Sequence, residues 1–197
     1  MTTKIPFSNT ERARELFGAS GDIKRFDLTP LGLPFSEHAD GFKHAADLLV
    51  QNLRRERNSL VYPVCYLYRH CLELWLKHLI AMLGVYLKQD FFGEKLGTHD
   101  LAKLWNICRS GLEEVMPSLS KENLSEVEEC IKALASFDKD GEIFRYPVNK
   151  RLGRWQLPVR AIGLNKMSKT VSTVVERFES YSLEINHRLD TRDWGRP

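Results

Sequence analysis

Residues 61–88 constrain the fold more than any other part of the chain. They form the longest helical pattern in the sequence and are apolar on nearly every face. Pro63 suits the first turn of such a helix, because a proline there loses no hydrogen bond. A helix that is hydrophobic nearly all round belongs in the middle of a bundle. Arg69, Glu73 and Lys77 interrupt the apolar run, which argues against a membrane span. The segment therefore predicts the central helix of a soluble protein that has no membrane partner.

Four further stretches repeat apolar residues every three to four positions, which predicts four more main helices. Their predicted bounds are residues 36–57, 100–115, 120–137 and 165–189, with Ser36 and Asn165 as candidate N-caps. No strand pattern of convincing length and no internal repeat is present. The sequence therefore predicts an all-α fold. It is a helical bundle of about five main helices, with a short N-terminal helix and an irregular loop before the last helix.

The N-terminal residues differ in character from the rest of the chain. Ser8 and Glu11 have the spacing of a capping box, and Gly18 can close the short helix that follows them. The stretch from there to residue 34 is rich in Gly, Pro and Asp, which predicts an extended connector. We therefore divide the chain into an N-terminal helix with its connector, residues 1–35, and a helical bundle, residues 36–197.

The overall charge gives little indication of a partner. The 197 residues carry a net charge of +3, which is too small by itself to indicate nucleic acid, whose binding proteins concentrate basic residues on a surface. One basic run, Arg54, Arg55 and Arg57, fits the solvated end of a helix, where cations also suit the helix dipole.

The cysteines indicate the compartment. Cys65, Cys71, Cys108 and Cys130 show no CxxC pairing and no zinc-ligand spacing, and they fall among apolar residues. A free thiol in such surroundings behaves as a small core residue, as is typical of a reducing cytoplasm. The N-terminus lacks the apolar run of a signal peptide. The sequence therefore predicts a cytoplasmic protein with no metal site and no cofactor.

The central helix carries one narrow line of polar side chains. Tyr66, Arg69, His70, Glu73 and Lys77 lie within about 100° of one another around its axis. Charges beside a core are costly unless they are paired or open to a water-filled cleft. In one interpretation Glu73 pairs with Arg69 and Lys77, each four residues away, and the line only fixes helix packing. In the other, Arg69 and His70 face a cleft, oriented by Glu73 and Lys77, and His70 transfers protons.

Two more groups are candidates to complete such a cleft. Arg145 and Tyr146 lie in the irregular loop 138–158, and Pro147 holds Tyr146 in an extended backbone conformation. Arg145 then either binds a carboxylate or phosphate of a ligand, or pairs with Glu73. His99 stands between Thr98 and Asp100, so it is either a neighbour of a helix cap or a third cleft residue.

Short motifs in these places resemble those of the HEPN superfamily of bacterial helical bundles. They are residues 68–77 (YRHCLELWLK), 97–101 (GTHDL), 140–141 (DG) and 144–147 (FRYP). The resemblance covers about residues 42–189, which is most of the chain. It implies a homodimer of the kind found in toxin–antitoxin, phage-defence and RNA-processing systems, with an antitoxin or another protein as a further partner.

Active members of that superfamily are metal-independent endoribonucleases, and their motif places a His after four to six intervening residues from an Arg on the same helix. Arg69 and His70 match the start of this motif. The next histidine is His78, after eight intervening residues, and Leu74 and Trp75 stand where the motif has a His. The resemblance thus implies either that His70, helped by Arg145, has taken the acid–base role, or that the chain is a non-catalytic member.

Three functions follow from these expectations. In a ribonuclease, Arg69 and Arg145 hold the scissile phosphate of RNA and His70 moves the proton, with Glu73, Lys77, Tyr66, Tyr146 and His99 around them. In a binding module, the same residues recognise a nucleotide, a nucleic acid or a partner protein without turnover. In a structural bundle, the charged line is closed to water and the chain acts as the dimerising half of a larger system.

Overall fold

The computed structural model describes residues 35–53, 58–89 and 94–193. The predicted N-terminal helix and connector, with the capping box at Ser8 and Glu11, lie outside the described residues. The basic run at residues 54–57 also lies outside them.

The described residues are helical with irregular connections, and this confirms the predicted all-α bundle. The helices are α1 (Phe35–Asn52), α2 (Val61–Leu87), the short α3 (Glu94–Gly97), α4 (Leu101–Val115), α5 (Lys121–Phe137) and α6 (Leu164–Asp193), with a 3₁₀ turn (Asn58–Leu60) before α2. In this part of the chain, β pairing is limited to one isolated bridge between Val148 and Arg154. None of the helices within the described ranges is long and apolar enough to cross a membrane.

Two helix ends differ from the predicted bounds. α1 ends at Asn52 rather than near residue 57, and the Asn52 amide donates to the Leu48 carbonyl of the last turn at 2.7 Å. A side chain that bonds the last free carbonyls of a helix stabilises an end there. α6 continues past residue 189 to Asp193, because Arg192 donates to the Tyr86 carbonyl at 2.7 Å and its guanidinium lies 5.0 Å from the Tyr86 ring.

α2 is the central helix, as its apolar surface predicts. It packs against α1, α4 and α6, while α5 completes the bundle by packing on α4 and α6. α4 approaches α2 closely at Gly111, where an added Cβ would lie 2.9 Å from Cδ1 of Leu83. All four cysteines are free and buried, so the prediction that they are core residues is confirmed. The bundle therefore presents the middle of α2 to the start of α4 and to the loop after α5.

The start of α4 is fixed by its own side chains. Oδ1 of Asp100 accepts from the backbone N–H groups of Ala102 at 3.1 Å and Lys103 at 3.3 Å, and Thr98 Oγ1 accepts from the Asp100 N–H at 3.1 Å. Asp100 is thus the N-cap, which satisfies N–H groups that have no partner within the helix. The His99 side chain takes no part in this cap and is free to point elsewhere.

Candidate functional site

Arg69, Glu73 and Lys77 form a buried ion network on α2. Glu73 Oε2 lies 3.0 Å from Arg69 Nη1, and Glu73 Oε1 lies 2.9 Å from Lys77 Nζ. Arg69 and Glu73 are each only 1% exposed. Burial by itself raises the pKa of Glu73, but the hydrogen bonds and charges of Lys77 and His99 outweigh it, and the net pKa is lowered. Glu73 is therefore a carboxylate whose charge holds this network together.

Arg69 also ties two other parts of the chain to α2. Its Nε donates to the Asp138 carbonyl at 2.9 Å, and its Nη2 donates to the carbonyls of His99 at 2.6 Å and Lys139 at 3.2 Å. The Asp138 carboxylate lies 3.6 Å from Nε, so two buried carboxylates balance the two cations. With four hydrogen bonds made to the protein, the guanidinium of Arg69 is closed to a phosphate in this arrangement.

Gly141 allows the loop after α5 to approach Arg69. Its φ is +72°, in the left-handed region, and an added Cβ would lie 2.8 Å from Arg69 Nη1. Residues other than glycine rarely adopt such a φ. The loop can therefore close over the guanidinium only because residue 141 is a glycine.

We expect Gly141→Ala to lower the free energy of unfolding by about 2–4 kcal/mol, from left-handed strain together with displaced hydrogen bonds of a charged group. Urea unfolding followed by circular dichroism would measure it. Gly97→Ala is the matched control, because nothing lies within 4 Å of an added Cβ there. An effect of Gly141→Ala no larger than that of the control would contradict this account of the loop.

His99 connects the buried network to the surface. Its Nδ1 lies 2.8 Å from Glu73 Oε1, yet its side chain is 57% exposed. Because Glu73 is ionised, the favoured tautomer of the neutral ring carries its proton on Nδ1 and donates it to the carboxylate. The unprotonated Nε2 is then left for whatever approaches from solvent. This carboxylate–histidine pair is the arrangement that orients a proton-transferring imidazole in enzymes.

His70 belongs to a row of rings that ends on one cation. The His70 ring stacks on Tyr66 at 5.5 Å between centroids and meets Phe42 edge-on at 4.5 Å. The guanidinium of Arg145 lies 6.0 Å from the Tyr66 ring and 5.6 Å from the Tyr146 ring. Arg145 is exposed, and its Nε donates to the Gly141 carbonyl. The row therefore joins the same loop that covers Arg69.

Burial lowers the pKa of His70, although the charge of Glu73 opposes this, and it also lowers the pKa of His78. In the unfolded chain a histidine titrates near 6.5. As the pH falls below about 6.5, the unfolded state therefore binds more protons than the folded state. The stability that the neutral rings contribute is lost between that pH and the lower pKa values that the rings have in the folded state.

We accordingly expect the free energy of unfolding to fall between about pH 7.5 and pH 5.5, and to fall less in the double variant His70→Phe, His78→Leu. Urea unfolding at both pH values measures this. His187→Ala, at an exposed position on α6, serves as the control. An unchanged pH dependence in the double variant would show that other groups carry it.

The structure divides the predicted line of side chains into two sets. Arg69, Glu73 and Lys77 are buried and joined by ion pairs through Glu73, whereas Tyr66 and His70 are half-buried. One of the two alternatives predicted for Arg145 was a pair with Glu73. Arg145 does not form that pair, and Glu73 is paired with His99 instead.

From the sequence, His99 was either a neighbour of the helix cap or a third cleft residue, and its pairing with Glu73 was not predicted. A signal was present, because Thr98 and Asp100 suffice to cap α4 and leave the residue between them unused.

Within the described ranges, no group of three or more His, Cys, Asp or Glu side chains is placed to hold a metal ion. Comparisons of the chain with protein-family models, with curated proteins and with solved structures give no match. Fold and site together define a helical bundle in which a buried ionic network presents one carboxylate-bound histidine to solvent.

Proposed function

We propose that the chain is an endoribonuclease that uses side chains alone for proton transfer, with His99 as the acid–base residue. The observation that carries this proposal is the exposed His99 ring held at 2.8 Å by buried Glu73. The pair differs from the Arg–His motif of the HEPN superfamily, because its histidine comes from the start of α4 and not from α2. His70, the residue that the motif indicates, has a half-buried ring that stacks on Tyr66 and meets Phe42 edge-on.

The proposed reaction begins when Nε2 of His99 accepts the proton of an RNA 2′-hydroxyl. The 2′-oxygen attacks phosphorus, the bond from phosphorus to the 5′-oxygen breaks, and the leaving oxygen takes a proton from His99 or from water. The products are a 2′,3′-cyclic phosphate and a 5′-hydroxyl. Glu73 stabilises the imidazolium through Nδ1–H, and Arg145 offsets the charge that develops on the phosphate.

Arg69 and Lys77 act indirectly in this proposal. They keep Glu73 ionised and fixed in direction, and Arg69 also holds the His99 carbonyl at 2.6 Å. A proton acceptor is effective only when its ring is held in the reactive orientation. We therefore assign Arg69 and Lys77 to positioning, and only His99 and Arg145 to contact with the substrate.

A second function, binding of a nucleotide or of RNA without turnover, is favoured by one specific observation. The exposed Arg145 guanidinium lies near the rings of both Tyr66 and Tyr146. An arginine beside aromatic rings can hold a phosphate and a base without any proton transfer. Such a module would use Arg145 and leave His99 without a role.

The two functions are separated by incubating purified protein with end-labelled single-stranded RNA in EDTA and identifying the ends of any products. Cleavage that leaves 2′,3′-cyclic phosphate and 5′-hydroxyl ends, and that is lost in His99→Ala, is expected for the ribonuclease. Retention of the RNA without cleavage at any protein concentration would favour the binding module. Cleavage that persists in His99→Ala would remove His99 from the mechanism.

A further inference from the structure

The exposed side chains of residues 143–175 carry only basic charges. Residues 143–175 contain seven lysines and arginines and no acidic residue, although the chain has 26 acidic residues in all. All seven cations are exposed: Arg145, Lys150, Arg151, Arg154, Arg160, Lys166 and Lys169. Of these seven cations, only Lys150 has an ion-pair partner among the described residues, Glu142. The stretch therefore has a concentration of cations that the small net charge of the whole chain hides.

Two exposed tyrosines stand at one end of this surface. Tyr62 is 48% exposed and Tyr146 is 54% exposed, and both line a pocket of about 300 Å³ together with Arg145 and Pro147. The Trp155 indole donates to the Tyr146 carbonyl at 2.8 Å, which fixes the backbone that carries this ring. The pocket is therefore held in shape, and its size is at the lower end of the range for small-molecule sites.

Basic residues that follow a surface, with aromatic rings beside them, are the combination that binds single-stranded nucleic acid. The cations follow the phosphates and the rings stack on unpaired bases. Resting on the proposed function, we propose that the pocket between Tyr62 and Tyr146 takes one unstacked nucleobase of single-stranded RNA, and that Arg151, Arg154 and Arg160 bind the phosphates that follow. This places the scissile phosphate beside Arg145. Arg145 bonds the Gly141 carbonyl, Gly141 packs on Arg69, and Arg69 holds the His99 carbonyl.

The test measures binding apart from cleavage. The probe is a fluorescent RNA about 12 nucleotides long in which 2′-methoxy groups replace the hydroxyls, so that it cannot be cut. Fluorescence anisotropy over a range of salt concentrations gives the affinity and its salt dependence. We expect Tyr146→Ala to weaken binding by about 5- to 150-fold and Tyr146→Trp, which keeps a stacking ring, to retain it.

The phosphate contacts are tested with the triple variant Arg151→Gln, Arg154→Gln, Arg160→Gln. In this variant, log affinity should fall less steeply with log salt, and the magnitude of the slope should be smaller by about 2. The control is Arg109→Gln, Arg177→Gln, because these exposed arginines are already paired with Glu113, Glu128 and Glu126. The control should leave the slope unchanged.

Three results would overturn the inference. They are failure of the wild-type protein to bind the probe at low salt, wild-type affinity in the Tyr146→Ala and triple variants, and competition by polyglutamate that equals competition by RNA. The last result would show that the basic surface recognises acidic proteins. If natural RNA is still cleaved with the ends described above, the proposed function stands and only this surface is misassigned.

Discussion

Replacing Glu73 with alanine is expected to lower the free energy of unfolding by about 3–5 kcal/mol. The substitution removes the carboxylate from both Arg69 and Lys77, whose side chains are 2% and 10% exposed. A buried cation without its partner keeps the cost of leaving water and loses the attraction that offset it. The Asp138 carboxylate, 3.6 Å from Arg69 Nε, would remain.

Urea denaturation at neutral pH measures this effect, and the chain offers a matched control. Arg109 and Glu113 form a pair with the same spacing on α4, but their side chains are 40% and 50% exposed. Glu113→Ala should change the free energy of unfolding by less than about 1 kcal/mol, because solvent already screens that pair. Equal effects of the two substitutions would mean that the Glu73 network does not stabilise the bundle.

Replacing His99 with alanine is expected to reduce RNA cleavage by about 100- to 10,000-fold, the usual contribution of a positioned acid–base group. The free energy of unfolding should change by only about 1 kcal/mol, because one hydrogen bond of a largely exposed ring is lost. Glu73 keeps Arg69 and Lys77 as partners in this variant. Rates of cleavage under single-turnover conditions, with melting temperatures of the same samples, measure both quantities.

Two further histidine variants make this result specific. His70→Phe keeps a ring to stack on Tyr66 and should cleave RNA within a few-fold of the wild type if His99 is the acid–base residue. His44→Ala alters an exposed histidine of α1 and serves as the control. Loss of cleavage in His70→Phe together with full activity in His99→Ala would return the acid–base role to His70, as the resemblance implies.

Much of the fold follows from the sequence because the signals are local. The apolar surface of residues 61–88 places α2 at the centre, and the periodic segments around it predict α1, α4, α5 and α6. The start of α4 was predicted to within a residue because Asp100 caps it with its own side chain. The end of α1 was not, since no Gly or Pro near Asn52 marks it.

The candidate site was also predicted only as far as local signals reach. The sequence by itself determined that Glu73 can pair with Arg69 and Lys77, because a spacing of four residues makes them neighbours on any helix. It also determined that these charges lie on the most apolar helix of the chain, and so that they must be satisfied.

Only the tertiary structure decided which groups satisfy them and which face solvent. Arg69 reaches carbonyls of residues 99, 138 and 139, and Glu73 reaches His99, at separations of 26 to 70 residues. Such contacts depend on how α4 and the loop after α5 pack against α2, which no local pattern encodes. That packing buried Arg69, Glu73 and Lys77, left Arg145 unpaired with Glu73, and brought His99 rather than His70 to the exposed end of the network.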